Sequence, residues 1–184
     1  MRILELGAGR EWVRWKDHDD CEVVCVDQLY EFVDIDTGDE SIELIGSNII
    51  EFLEGYVGPS FEKVVATRVF EHFDRETIGY ALYLLRQITT SDAILEIIVP
   101  DIVKVIEEFN HINPYTDSVH DFNSSMIRTH TEVFNELNDP HRSLWNRVIA
   151  EYYLTLENYW KDVEIEDVSL DDRDWYLKVT CVRN

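Results

Sequence analysis

Two rhythms of hydrophobic and polar positions alternate along this chain. Short apolar runs, Ile3-Leu4-Glu5-Leu6, Val23-Val24-Cys25-Val26, Ile42-Glu43-Leu44-Ile45, Val64-Val65-Ala66 and Ile94-Leu95-Glu96-Ile97-Ile98-Val99, are separated by segments in which apolar residues recur every three or four positions. Nearly continuous apolar runs predict strands buried on both faces, and the three-to-four spacing predicts helices with one buried stripe. The pattern gives a strand near 2–6, a short helix near 10–16, strands at 22–27 and 42–46, a helix at 48–54, a strand at 61–67, a helix at 75–90 and a strand at 93–99. In the helix at 75–90 the stripe is Ile78, Leu82, Leu85 and Ile88. Strands that alternate with helices in this way build a parallel sheet between helical layers, an α/β fold.

Two stretches depart from the alternation. Residues 32–41 hold too much Asp and Gly for a helix and predict a loop. Beyond Pro100, Asp101 is placed to cap a helix carrying Ile102, Val103, Val105, Ile106 and Phe109. The segment 110–143 then carries Pro114, Pro140 and four histidines, and exceeds an ordinary connection, a length that tends to be functional. A helix at about 143–158 follows, with Leu144, Val148, Ile149, Tyr152 and Leu156 on one side. The chain closes with strands from Val163 to Val168 and from Trp175 to Val182, joined by an acidic turn at 171–174, and a tight turn makes such a pair antiparallel.

Composition bounds the rest. With 184 residues the chain is expected to be one domain, 1–184, with the 110–143 segment as a long insertion. No apolar run approaches the roughly 20 residues that span a bilayer. Met1-Arg2 leads straight into a strand containing Glu5, which predicts no signal peptide and a cytoplasmic protein. A formal net charge of −22 opposes contact with phosphate backbones, so nucleic acid is not an expected partner. Cys21, Cys25 and Cys181 fall in or beside strands and read as reduced core thiols. Neither the Asp34, Asp36, Asp39 and Glu40 cluster nor the histidines His111, His120, His130 and His141 have the spacing of a metal site, and none is expected.

Chemistry concentrates at the start. A strand runs into Gly7-Ala8-Gly9, and a second strand ends at Asp27, 18 residues beyond Gly9. Such glycines let backbone approach a ligand, and a carboxylate at the end of the second strand can accept both hydroxyls of a ribose, which points to an adenosine-containing cofactor. A dinucleotide site would want a third glycine where Trp12 stands. Glu5 would repel a pyrophosphate but attract an ammonium, as found in S-adenosylmethionine.

On these residues the sequence resembles the class I S-adenosylmethionine-dependent methyltransferases, whose E-x-G-x-G motif reads here as Glu5-Leu6-Gly7-Ala8-Gly9. Gly46-Ser47-Asn48-Ile49 is similar to the family's adenine-contacting segment. The stretch from Phe61 to Phe73, with Glu71-His72, looks like its fourth strand and following turn, and Ile94–Val99 with Pro100-Asp101 looks like its fifth. The match runs in order over residues 2 to 101, with Glu11 and Ser91-Asp92-Ala93 at positions where the family has glycines. It implies a Rossmann-like three-layer sandwich, mostly parallel and ending in an antiparallel hairpin. It also implies that S-adenosylmethionine is held by Glu5, Gly7, Ala8 and Gly9 at the methionine end, Asp27 and Gln28 at the ribose, Asn48 and Ile49 at the adenine, and Arg68 through its backbone.

Catalytic candidates are His72, as a general base, and Glu71, with the alternative that both order the loop. Tyr115, His120, His130, Arg142 and Trp145 are candidates to line the substrate. Thr67-Arg68-Val69-Phe70 is not the N-P-P-Y motif of family members that methylate exocyclic or amide nitrogens, which counts against adenine or glutamine N-methylation. The expected activity is methyl transfer to a small molecule, for instance to an oxygen of a sugar or acid. A catalytically silent subunit that activates a partner, and a nicotinamide oxidoreductase, stay open as alternatives. Trp12 and Trp15 are expected to leave an aromatic patch at the crevice rim, through which a homodimer could close the site.

Overall fold

The computed structural model describes residues 1–16, 18, 20–31, 35–104, 142–170 and 173–184. Seven strands form one sheet: β1 (Arg2–Leu6), β2 (Glu22–Val26), β3 (Ile42–Ile45), β4 (Phe61–Thr67), β5 (Thr89–Pro100), β6 (Trp160–Leu170) and β7 (Arg173–Arg183). The helices are α1 (Ile49–Gly55), α2 (Arg75–Ile88) and α3 (Arg147–Thr155), and single 3₁₀ turns occupy Glu11–Trp15, Gln28–Glu31 and Phe70–His72. Strand order is β3-β2-β1-β4-β5-β7-β6. The first five strands are parallel, and β7 pairs antiparallel with both β5 and β6.

Alternation along each strand sorts the core onto two faces. Leu4, Leu6, Val24, Val26, Val64, Ala66, Leu95, Ile97, Leu177 and Val179 meet Leu53 of α1, Ile78, Leu82 and Leu85 of α2, and Ala150 and Leu154 of α3 in the larger cluster. Burying each such aliphatic side chain stabilises the fold by about 1.5–3 kcal/mol. Ile3, Val23, Cys25 and Val65 point the other way, into a smaller cluster with Ala8, Trp12 and Ile42. Burial pushes the Cys25 and Cys181 thiols up to about 12, so both stay protonated at neutral pH, as core thiols do. Farther along the second face, Lys63 and Lys178 flank Glu96 at 3.3 and 3.5 Å, and Lys178 reaches Glu166 at 3.3 Å. Cross-strand pairs of this kind let charged residues sit on a pleated surface.

Helix starts are set by local side chains. Asp74 accepts from the Thr77 N–H at 2.9 Å to begin α2, and Asn146 accepts from the Ile149 N–H at 2.9 Å to begin α3. Asp101 accepts from the Val103 N–H at 3.0 Å, and residues 102–104 are helical. Residues 35–41 are irregular, as the Asp and Gly content predicts, and a short 3₁₀ turn, Gln28–Glu31, follows β2. That turn lies tight on the end of β3, where a Cβ on Gly46 would come within 2.4 Å of the Glu31 nitrogen.

The order of the strands fixes where ligands go. From β1 the chain moves outward one way to β2 and β3, and from β4 outward the other way to β5, so the order reverses between β1 and β4. In open α/β sheets the crevice lies at that reversal, beyond the carboxyl ends of the strands. Gly7 follows β1 and Thr67 ends β4, and both border it.

Candidate functional site

Gly7 and Gly9 both lie in the left-handed region, with φ of +68° and +51°. The Gly7 N–H donates to the Val26 carbonyl at 2.8 Å, tying the loop to the end of β2. A Cβ on Gly7 would sit 2.3 Å from Val69 Cγ2, so the absence of a side chain lets the segment leaving β4 press against the loop. The Gly9 N–H donates to Asp27 Oδ2 at 2.9 Å, and Asp27 Oδ1 accepts from the Leu29 N–H at 2.9 Å. Asp27 therefore joins the glycine loop to the turn after β2. A carboxylate has about four acceptor sites, so both oxygens keep capacity for another donor. Tyr30 closes the same corner, its hydroxyl donating to the Gly9 carbonyl at 2.7 Å. Burial raises the Tyr30 pKa and keeps that donor protonated.

Glu5 lies differently from its expected place. Its carboxylate is 1% exposed and is held by the Arg14 guanidinium and the Trp15 indole N–H. The residues that make this pair come from the 3₁₀ turn at Glu11–Trp15, where an i, i+3 spacing turns Trp12 and Trp15 to one side. Trp12 is 7% exposed and Trp15 packs against the same cluster, so neither leaves the rim patch that the sequence predicts. Burial raises the Glu5 pKa, opposed by the Trp15 hydrogen bond and the Arg14 charge. Folding thus favours the protonated carboxyl. Its contribution to stability is complete below the ordinary value of 4.5 and is lost as pH rises through the raised value. Glu5→Gln fixes the neutral form, so the stability of the native protein relative to this variant is expected to fall with rising pH. Urea unfolding of both at a series of pH values measures it, and a constant difference would contradict the burial argument.

The remaining cofactor candidates are distributed around the strand ends. Gln28 is exposed at the start of the second 3₁₀ turn, and half-buried Ile49 begins α1 and packs on the main core. Asn48 spends its side-chain oxygen on capping α1, accepting from the Ile50 N–H at 2.9 Å. Ala8 is buried at 4% exposure. Arg68 has φ of +57° directly after β4; its N–H donates to the Ile98 carbonyl at 2.8 Å and its guanidinium meets Glu11 Oε1 at 2.8 Å. A non-glycine residue held there is a local strain of the kind that collects at functional sites.

Glu71 and His72 follow in the third 3₁₀ turn, Glu71 buried at 2% exposure and His72 half-buried. The Glu71 carbonyl accepts from the Arg142 N–H at 2.8 Å and the Ser143 N–H at 3.1 Å. The returning chain is thus fastened beside the exit of β4, with the Arg142 side chain exposed there. Trp145 belongs to the core instead of a lid: it is 1% exposed, its indole N–H donates to Ser143 Oγ at 3.0 Å, and its ring meets Phe70 edge-on. The same cluster gathers Phe73 and Tyr153, and an apolar ring of that size gains more from burial than from a rim position. Tyr115, His120 and His130 lie outside the described residues. Among the described residues no group of three or more His, Cys, Asp or Glu side chains could hold a metal ion, and no helix is long and apolar enough to cross a membrane.

Sequence reasoning missed Tyr30, Arg14 and Thr67. Thr67, 7% exposed at the end of β4, has a buried hydroxyl without a hydrogen-bond partner. Nothing in its sequence neighbourhood marks it.

No family model matches the sequence, and no curated protein does. Solved structures do match. A SAM-dependent methyltransferase from Archaeoglobus fulgidus is 15% identical with a TM-score of 0.66, over 99% of this chain and 86% of that one. The 1,6-didemethyltoxoflavin-N1-methyltransferase of Burkholderia thailandensis, solved with its substrate and S-adenosylhomocysteine, is 14% identical with a TM-score of 0.61, over 99% and 70%. Magnesium protoporphyrin IX methyltransferase from Synechocystis PCC 6803, with bound S-adenosylhomocysteine, is 9% identical with a TM-score of 0.60, over 99% and 74%. With the strand order, the reversal between β1 and β4 and the antiparallel end, these likenesses establish that the chain has the Rossmann-like fold of the class I SAM-dependent methyltransferases.

Proposed function

We propose that the protein is a SAM-dependent methyltransferase acting on a small-molecule acceptor. The observation that carries this reading is the joint made by Asp27 with Gly9 at the reversal of the sheet. Both glycine N–H groups are spent inside the protein, Gly7 on Val26 and Gly9 on Asp27, so these two amides are not left to cradle a pyrophosphate. Glu11 opens the following turn, and a carboxylate there opposes a phosphate as well. An adenosine-containing cofactor without phosphate, bearing a cationic amino-acid end, suits this border. Several of the matched structures carry S-adenosylhomocysteine, which supports the same choice.

Bound S-adenosylmethionine supplies an electrophilic methyl group. The task left to the chain is alignment and proton removal. In this reading Asp27 accepts from the ribose, with Gln28 beside it, and Asn48 and Ile49 border the adenine. Gly7, Ala8 and Gly9 shape the methionine end with the Arg68 backbone, while Glu5 acts at one remove, by anchoring Arg14 and Trp15 under the loop. His72, half-buried after β4, takes the acceptor's proton, with Glu71 holding its turn in place. Arg142, fastened to the Glu71 carbonyl by its own N–H, puts a cation where an acidic acceptor would enter. The β4 exit through Thr67-Arg68-Val69-Phe70 lacks the N-P-P-Y motif of adenine or glutamine N-methylation, and an oxygen on a sugar or acid is the acceptor proposed.

A second reading, a silent subunit with this fold, is favoured by the Glu5 carboxylate being taken up by Arg14 and Trp15. Calorimetric titration with SAM, S-adenosylhomocysteine and NADH separates the cases. Micromolar binding of the first two and none of NADH is expected. Binding of NADH alone would overturn the methyltransferase reading, and binding of none would move the weight to the silent subunit.

A further inference from the structure

We propose that α2 is the meeting surface of a homodimer, in which two copies cross antiparallel at Gly79 and the partner's Tyr83 enters the cleft between α2 and α3. Gly79 stands inside α2 and is exposed, with nothing within 4 Å of the position a Cβ would take. A glycine inside a helix is destabilising relative to alanine. Among the described residues none needs the missing side chain, so the close approach it permits is from outside the chain.

The outward side of α2 is aromatic around that position. Arg75, Gly79 and Tyr83 recur every four residues and so share one face. Tyr80 stacks beside Tyr83 with 6.4 Å between ring centroids, and Tyr159 stands 6.0 Å from Tyr83. α3 and the residue after it extend the surface with exposed Tyr152 and Leu156. Between the helices lies a cleft of about 50 Å³ lined by Arg75, Gly79, Leu82, Leu154, Leu156 and Trp160. That volume takes the end of a side chain and is far too small for a cofactor. Trp160 is 2% exposed, and its indole N–H has no hydrogen-bond partner. A phenol hydroxyl entering the cleft supplies an acceptor.

Charge and spacing both fit a second copy as the occupant. A net charge of −22 sets two copies against one another in general. On this face the repulsion is absent, because the charged residues of α2 are Arg75, Glu76 and Arg86 and those of α3 are Arg147 and Glu151. Arg75 and Tyr83 lie about one turn either side of Gly79, so an antiparallel crossing there sets each Arg75 against the partner's Tyr83. The pairing has a counterpart inside the chain. The Arg75 guanidinium lies 5.6 Å from the centroid of the Tyr152 ring and donates to the Tyr152 hydroxyl at 2.8 Å, and a second ring would enclose it from the other side.

Sedimentation equilibrium over a range of protein concentrations tests the surface. The native protein is expected to dimerise in the micromolar range. Gly79→Gln places a good helix former at the crossing. It is expected to keep native stability in urea and to weaken the dimer about tenfold, ~1.4 kcal/mol. Tyr83→Arg sets two arginines together and is expected to weaken the dimer as much, and Arg75→Tyr in the same chain is expected to restore it. Within one chain residues 75 and 83 are roughly 12 Å apart along the helix, so restoration requires two copies. A native protein that stays monomeric at every concentration would overturn the proposal and leave the face to a different partner. A dimer unaffected by Gly79→Gln would overturn the surface, and a double variant without restoration would overturn the antiparallel crossing. Should Gly79→Gln not fold, Gly79→Lys carries the same comparison with the same outcomes.

Discussion

Asp27→Ala is expected to weaken S-adenosylhomocysteine binding by at least tenfold, about 1.4 kcal/mol or more. Two losses combine. The carboxylate accepts from Gly9 and from Leu29, each at 2.9 Å, and so holds the glycine loop against the turn after β2. Removing it leaves two backbone donors to find water and frees the loop to move. It also removes the acceptor proposed for the ribose hydroxyls. Asp27→Asn separates the two effects, because an amide oxygen can still accept one backbone N–H while its NH₂ opposes the other donor. Titration calorimetry of both variants should give Ala the larger loss and Asn an intermediate one. An affinity unchanged in Asp27→Ala would remove the residue from the site.

Gly7→Ala is expected to carry the largest stability loss, about 2–4 kcal/mol from two sources. Its φ of +68° is unfavourable for any residue with a Cβ, and the new methyl would meet Val69 Cγ2 at 2.3 Å. The obstruction is the branch of a side chain, so trimming it should help. Gly7→Ala combined with Val69→Ala is expected to be less destabilised than the sum of the single variants, a non-additivity expected of residues in contact. Urea denaturation of the four proteins in this cycle measures the coupling. Strict additivity would mean that the loop and the β4 exit do not press on one another.

The sheet was largely legible from the sequence because its central strands are apolar on both faces. β4 falls at the 61–67 expected of it, and the closing hairpin is where its turn formers put it. The edges read less well. β6 runs from Trp160 to Leu170, well past the expected 163–168, and β5 begins at Thr89. Pairing with a neighbour supplies backbone hydrogen bonds whatever the side chains are, so Lys161, Asp162 and Ser169 join β6 without any hydrophobic signal. In the segment near 10–16, a 3₁₀ turn, the three-residue spacing puts Trp12 in the second core and Trp15 against it, with the Trp15 indole on Glu5.

At the candidate site, positions marked by a motif were legible and positions defined by their neighbours were not. Gly7, Gly9 and Asp27 announce themselves by spacing. Asn48 reads equally well as a ligand group and as a helix cap, and its local geometry serves the cap. Trp145 looks like a rim residue until Phe70 and Tyr153 are brought to it. The solitude of the Thr67 hydroxyl depends on what β1 and β5 place around it, and no local stretch of sequence contains that information.

The chain that departs after residue 104 and returns at 142 is pinned where it leaves and where it comes back. Asp101 bridges Trp145, and the Ile102 N–H donates to the Trp145 carbonyl at 3.0 Å. The sheet and α3 are therefore joined without reference to the intervening 37 residues, 105–141. Loop-closure entropy changes by only about 0.6 kcal/mol for each doubling of length. With Asp101 and Trp145 joined, a change in the number of residues between 104 and 142 is expected to leave the glycine loop and Asp27 as they are.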